Sequence, residues 1–310
     1  MLIPLGIAGI TVAALTGWAA YVGRKVEEAV PPDGSFADVA GARLHFLDMR
    51  PDEEKGPPIV MIHGLMGQMR NFSHSLAERL ARDHRVILID RPGWGYSKLT
   101  GPRAGVAEQA EMIAALIEQL GLEKPLLVGH SMGGAVSLAL ALAHPELVRG
   151  LALIAPYTQP VDRPPEVFKG LVVPKGLRGP VAWTVAVPIA MRTGKAKSIM
   201  VFSPDPVPPD FGTRGGGMLT VRPTSFLQGS FEIGIAKAEM ERQAPHYGEI
   251  KVPVAILYGR QDALLDPLLH GTKTAEAIPG GTIEMIDGGH MLPVVHAAET
   301  ETWLRRVLAT

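Results

Sequence analysis

Apolar residues along this 310-residue chain fall into two alternating patterns. Short aliphatic runs stand at 43–47, 59–63, 85–90, 126–129, 150–155, 253–259 and 282–287. Several are apolar almost without a break, such as Ile59-Val60-Met61-Ile62 and Val86-Ile87-Leu88-Ile89. Unbroken runs of this length are what strands covered on both faces require. Between them, Val106, Ala110, Ile113, Ile117 and Leu120 recur at helical spacing, so one side of that segment is greasy and the other polar. Val295, Ala298, Leu304 and Leu308 suggest another amphipathic helix near the end of the chain. Alternating strands and helices predict an α/β fold: a mostly parallel sheet with helices on both faces. No internal repeat or low-complexity tract interrupts the pattern.

Two stretches break the alternation. Residues 2–23 carry no charge and would form a helix about 33 Å long, enough to cross a bilayer core. Trp18 and Tyr21 lie near its end, and Arg24 and Lys25 follow directly. Residues 1–25 are therefore expected to be a membrane anchor. The two charges place the body on the cytoplasmic side. The alternative is a signal peptide cleaved near Gly17-Trp18-Ala19, which would leave the body secreted or periplasmic. A polar linker is expected over 27–35. The second break is 156–250, which holds 13 of the 27 prolines. Its stretch "FSPDPVPPDFGTRGGG" cannot be a regular element. This segment reads as a helical lid inserted into a core made of 36–155 and 251–310. Over 156–232 it carries nine Lys or Arg against five Asp or Glu. Such a lid packs on the body, or also admits a greasy substrate or touches lipid.

Composition narrows the chemistry. Thirty basic and 31 acidic residues give a net charge of −1, so nothing in the totals suggests a nucleic-acid partner. Without cysteine there are no disulfides, thiol nucleophiles or thiolate metal sites.

The chemistry concentrates where an apolar run meets "GHSMG" and turns apolar again. Gly129-His130-Ser131-Met132-Gly133 follows a predicted strand and opens a predicted helix. That context makes it a nucleophile elbow: a sharp turn that lifts the Ser131 hydroxyl above the sheet edge. Side chains at Gly129 and Gly133 would meet neighbouring backbone. The helix aims its N-terminal N–H groups at the reaction. A serine nucleophile needs a base, and the base needs an acid to orient it. His290, on the Gly-rich loop after a strand in "IDGGHMLP", supplies the base. Asp262, just past the strand of "ILYGRQDALLDP", supplies the acid, with Asp266 as its rival. The order Ser, Asp, His and the strand-end positions suit an α/β sheet. An oxyanion needs two backbone donors. Met132 N–H follows the nucleophile. Leu65 N–H follows His63-Gly64 in "IVMIHGLMG", where Gly64 allows close approach. His130 is read as packing. Asp90, in "LIDRPGWGYS", is read as tying its own loop.

Four ordered motifs, "HGLMG", "DRPGWGYS", "GHSMG" and the pair "GRQD" and "GGH", resemble those of the α/β-hydrolase fold superfamily over about 36–310. The resemblance implies an eight-stranded sheet, a lid after the sixth strand and a triad of Ser131, His290 and Asp262. The chain is similar to membrane-anchored monoacylglycerol lipases and esterases. It also resembles the carbon–carbon hydrolases of aromatic degradation through its "DRPGWGYS" loop. Ser131 stands where haloalkane dehalogenases and soluble epoxide hydrolases carry aspartate. Leu65-Met66 departs from the Gly-rich loop of another lipase group. The expected activity is cleavage of a carboxylic ester, either small-acyl or monoacylglycerol-like, with no metal or cofactor. The expected partners are a small ester or lipid and a membrane. A carbon–carbon hydrolase, a thioesterase or a cofactor-free peroxidase-like acyl transferase would use the same groups. A silent membrane-anchored scaffold would need none of them.

Overall fold

The computed structural model describes residues 2–310, with side chains from residue 11 onward. Nine strands form one mixed sheet: β1 (Ser35–Val39), β2 (Ala42–Met49), β3 (Ile59–Ile62), β4 (Val86–Ile89), β5 (Lys98–Leu99), β6 (Leu126–His130), β7 (Gly150–Ile154), β8 (Val254–Gly259) and β9 (Thr282–Ile286). Their order is β1-β2-β4-β3-β6-β7-β8-β9, with β5 paired to the start of β2. The extra strand relative to the implied eight is this two-residue β5. β1, β2 and β4 pair antiparallel, as does β5 with β2, whereas the neighbours β4, β3, β6, β7, β8 and β9 run parallel. The chain steps from β3 to β4 on one side and later to β6 on the other. The strand order therefore reverses between β3 and β6, and in open α/β sheets ligands collect at the carboxyl ends around such a point.

The central strands are apolar almost throughout because both faces are covered, with His130 at the end of β6 the polar exception. Val60, Ile62, Ile87 and Ile89 pack into one core beneath α2 (Val106–Gln119) and α3 (Met132–Ala143). Ile59, Met61, Val86 and Leu88 pack into a second core with Phe72, Leu76 and α6 (Ala297–Leu308). Val295, expected in that last helix, belongs instead to the separate turn Leu292–Val295.

Between β7 and β8 the chain leaves the sheet. Its longest elements there are α4 (Val187–Phe202) and α5 (Pro223–Gln243), joined by short turns.

The N-terminal segment differs from the expected anchor and linker. Helix α1 (Leu2–Ala29) runs straight through Arg24, Lys25, Glu27 and Glu28. The reason is a stripe at helical spacing: Ala19, Val22 and Val26 are buried, and with Val30 they pack on Val187 and Leu219 of the insertion. Glu27 pairs with Arg222 at 3.0 Å, and the Tyr96 hydroxyl donates to the Val30 carbonyl. The first three of the nine residues of the expected linker, 27–29, are therefore helix. Among the described residues no helix is long and apolar enough to cross a membrane. The side chains of 1–10, part of the expected span, lie outside the described residues.

Candidate active site

Ser131 sits between β6 and α3 with φ 54° and ψ −120°, a left-handed conformation that costs a non-glycine residue about 1–3 kcal/mol. The neighbouring backbone holds it there. Ser131 N–H donates to the Ile154 carbonyl at 3.1 Å, and its own carbonyl accepts from Gly134 and Tyr157, both at 2.9 Å. Gly133 is obligatory for this turn: a Cβ there would lie 1.9 Å from the Ile62 carbonyl oxygen. A Cβ at Gly64 would lie 2.8 Å from that of Ser131, so the loop after β3 touches the elbow only because it carries glycine. Gly129 also lies against α3, where a Cβ would meet the Gly133 carbonyl at 2.7 Å.

Asp262 follows β8 and His290 follows β9, and the two are bonded. His290 Nδ1 and Asp262 Oδ2 stand 2.7 Å apart. Asp262 Oδ1 accepts from the Leu264 and Leu265 N–H groups at 2.8 and 3.0 Å. Burial acts to raise the Asp262 carboxyl. The charge and hydrogen bond of His290, with those two N–H groups, outweigh it and leave the pKa below the usual value. Asp266, the rival acid, caps its own turn through Leu268 N–H at 2.9 Å. Asp90 binds Met69 N–H, Tyr96 N–H and His45 Nδ1, away from this pair.

Two cavities reach Ser131. One of about 560 Å³ is walled in part by Leu65, Ser131 and His290. The other, about 100 Å³, is walled by Leu65, Ser131, Met132 and side chains of α5. Among the described residues, the N–H groups of Leu65 and Met132 meet no acceptor, and the Ser131 hydroxyl makes no hydrogen bond. Two free donors therefore stand beside one free hydroxyl.

Several supporting groups escape sequence reasoning. Arg91, one residue past Asp90, is fully buried and joins two parts of the molecule. Its guanidinium donates to the carbonyls of His63 (2.8 Å) and Gly64 (3.2 Å), the residues leading into Leu65. It also pairs with both oxygens of Glu232, on α5, at 3.0 Å. Trp94 Nε1, Gln109 and Gln228 donate to the same carboxylate. Burial would raise Glu232, but Arg91 and these donors hold it below the usual carboxylate range. His63 completes the arrangement as a neutral ring. Arg91 N–H donates to its Nε2, so Nδ1 carries the proton toward the Gly64 carbonyl. Burial, and then the charge of Arg91, push its pKa down to about 3.

The loop that carries His290 has its own braces. Asp205 of the insertion accepts from Gly289 N–H at 2.9 Å and contacts His296 Nε2 at 3.0 Å. His130, expected only to pack, also bonds the His290 carbonyl through Nε2 at 3.0 Å.

The Arg91–Glu232 pair makes a first prediction. Arg91→Met strands a buried carboxylate and is expected to cost about 3–5 kcal/mol in urea unfolding. Adding Glu232→Met removes the stranded charge and should regain most of that loss. A double variant no more stable than the single one would show the pair is not the cause.

Known proteins resemble this chain. A dihydrolipoyllysine-residue acetyltransferase component of the acetoin cleaving system from Pseudomonas putida is 39% identical over 131 residues, 42% of this chain; the chain spans only 34% of that protein's length. The 2-hydroxy-6-oxononadienedioate/2-hydroxy-6-oxononatrienedioate hydrolase 2 of Pseudomonas putida is 29% identical over 266 residues, covering 82% of this chain and 87% of that one. Among solved structures, a bacterial membrane phospholipase A superposes with a TM-score of 0.66 at 24% identity, over 99% of this chain and 96% of that one. Residues 57–297 match the family described as alpha/beta hydrolase fold, and the chain belongs to that family.

Proposed function

We propose that this member of the hydrolase family cleaves carboxylic esters through an acyl-enzyme on Ser131. The observation that carries the reading is the His290–Asp262 bond of 2.7 Å, with His290 on the wall of the cavity that Ser131 lines. In this reading Asp262 fixes the imidazole with its proton on Nδ1 and stabilises the imidazolium. His290 Nε2 takes the Ser131 proton as Oγ attacks the carbonyl. The Leu65 and Met132 N–H groups bind the oxyanion, each contributing about 10²–10³ in turnover. His290 then protonates the leaving oxygen, and water repeats the sequence on the acyl-enzyme.

A second reading, carbon–carbon cleavage, uses the same groups. The relative named as a hydrolase of 2-hydroxy-6-oxononadienedioate, matched over 82% of this chain, favours it. In either case the segment 156–250 acts as a lid on a core of 36–155 and 251–310. Its clasps to Arg91 and Gly289 support this assignment.

We also propose attachment to a membrane through the apolar N-terminal run, with the body cytoplasmic. The uncharged run 2–23 and the exposed Val12, Trp18 and Tyr21 support it. Alkaline extraction tests it: an anchored chain stays in the membrane pellet.

The activity test pairs p-nitrophenyl esters with a fluorophosphonate. Turnover of the esters together with labelling of Ser131 is the expected result. Labelling without ester turnover moves the assignment to carbon–carbon substrates. Neither turnover nor labelling removes the catalytic reading and leaves the scaffold.

A further inference from the structure

The two cavities at Ser131 differ more than fivefold in volume, and only the larger has His290 in its wall. That asymmetry bears on how an ester must lie. In acylation, the bond from Ser131 Oγ to the carbonyl carbon forms and the bond from that carbon to the leaving oxygen breaks. The Ser131 proton passes to His290 Nε2 and from there to the leaving oxygen, so a neutral alcohol departs. In the second half, a water oxygen bonds to the acyl carbon and the Oγ–carbon bond breaks. The water's proton returns through His290 to Oγ, and a carboxylic acid leaves. One imidazole serves both steps, so the leaving oxygen and the attacking water must lie on its side of the carbonyl. The acyl group then points the other way.

From this we infer that the large cavity holds the alcohol part of the ester and the small pocket holds the acyl part. The substrate class is a short-chain acyl ester of a long, mainly apolar alcohol; the inference rests on the acyl-enzyme reading above. It separates the two ester types left open by the sequence, because a monoacylglycerol carries its bulk on the acyl side.

The walls fit this division. The small pocket is lined by Tyr157, Ile233, Ala236 and Leu265, with the Asp162–Lys237 pair (2.7 Å) also on its wall. It suits acetyl to butyryl groups. Its Ile233 follows Glu232 directly on α5, and Glu232 is clasped by Arg91, so this wall cannot swing away to admit a longer chain without breaking a buried ion pair. The large cavity is mainly apolar, bounded by residues such as Leu171, Phe202, Phe211 and Met218. Its charged wall residues are Lys195 and Lys197, and among the described residues no carboxylate lines it, so it suits a neutral or anionic tail.

Decyl acetate and ethyl decanoate test the assignment, because they are isomers of equal composition with the long chain on opposite sides of the ester. With the full chain, decyl acetate is expected to show kcat/KM at least about tenfold higher. Equal rates, or a preference for ethyl decanoate, overturn the assignment while leaving hydrolysis at Ser131 standing. So does turnover of p-nitrophenyl acetate alone. If p-nitrophenyl acetate is also inert, the ester reading itself has failed, and this inference fails with it. Ile233→Ala gives an independent check. Deepening the small pocket should raise p-nitrophenyl hexanoate relative to acetate by about tenfold. An unchanged acyl profile in a folded variant overturns the assignment.

Discussion

Ser131→Ala is expected to lower kcat on p-nitrophenyl esters by about 10⁴–10⁶-fold with little change in KM. The missing hydroxyl is the group that would form the covalent bond, and it makes no other contact that substrate binding uses. It forms no hydrogen bond among the described residues, so its removal strands no partner. Alanine meets the same backbone strain at φ 54° as serine does, so the elbow keeps its shape. The thermal midpoint should therefore stay close to that of the parent while turnover vanishes. Losing both together would point to a folding defect instead. Asp262→Asn should cost about 10⁴-fold through the wrong imidazole tautomer, and adding it to Ser131→Ala should change little, because such groups act as a unit. A Ser131→Ala enzyme that keeps a tenth of its activity would exclude Ser131 as the nucleophile.

Acid is expected to unfold the protein well before its carboxylates titrate. Three buried histidines are held neutral. Burial lowers His63 and His130 to about 3 and His270 to about 4, from an ordinary 6.5. The charge of Arg91 adds to the effect at His63, and that of His290 at His130. In each case the folded pKa lies below the unfolded one. Their stability contribution is therefore complete above pH 6.5 and is lost as pH falls from there toward the folded values. Each adds a slope approaching about 1.4 kcal/mol per pH unit, so by pH 5 the three together remove about 6 kcal/mol. Whole domains hold only about 5–15 kcal/mol. Lower still, Asp90, Glu232 and Asp262 add to the loss, since their depressed values mean that protonation also favours the unfolded chain. Urea midpoints at pH 7.5, 6 and 5 measure this. A change under about 1 kcal/mol between pH 7.5 and 5 would show that these rings are not kept neutral by the fold.

What the chain discloses before folding depends on where each residue's partners lie. The strands at 59–62, 86–89, 126–130 and 150–154 are legible because both faces are buried and nearly every position must be apolar. β1 is not: it is an edge strand in which only Ala37 is buried, so "SFADV" shows no pattern. Ser131, Asp262 and His290 stand out because each follows an apolar run that ends on glycine or a polar turn. Arg91 and Glu232 do not, because 141 residues separate them. Locally, Arg91 belongs to a Gly/Pro turn and Glu232 is one polar residue of a helix; only the folded chain reveals that each neutralises the other. The outcome for α1 has the same origin. Its apolar residues read as a span, while Ala19, Val22 and Val26 face the insertion, a surface assembled from far along the chain.

The clasps from Glu232 to Arg91 and from Asp205 to Gly289 also set rules for engineering. The insertion is not an interchangeable cassette. A chimera that grafts a relative's segment onto this sheet must bring a carboxylate to each of these two points, or replace Arg91 as well. Libraries that aim to widen the substrate range have more freedom in α4 and in 206–221, which frame the large cavity, than along the Glu232 face of α5. There, changes to specificity and to the shape of the Leu65 loop would arrive together.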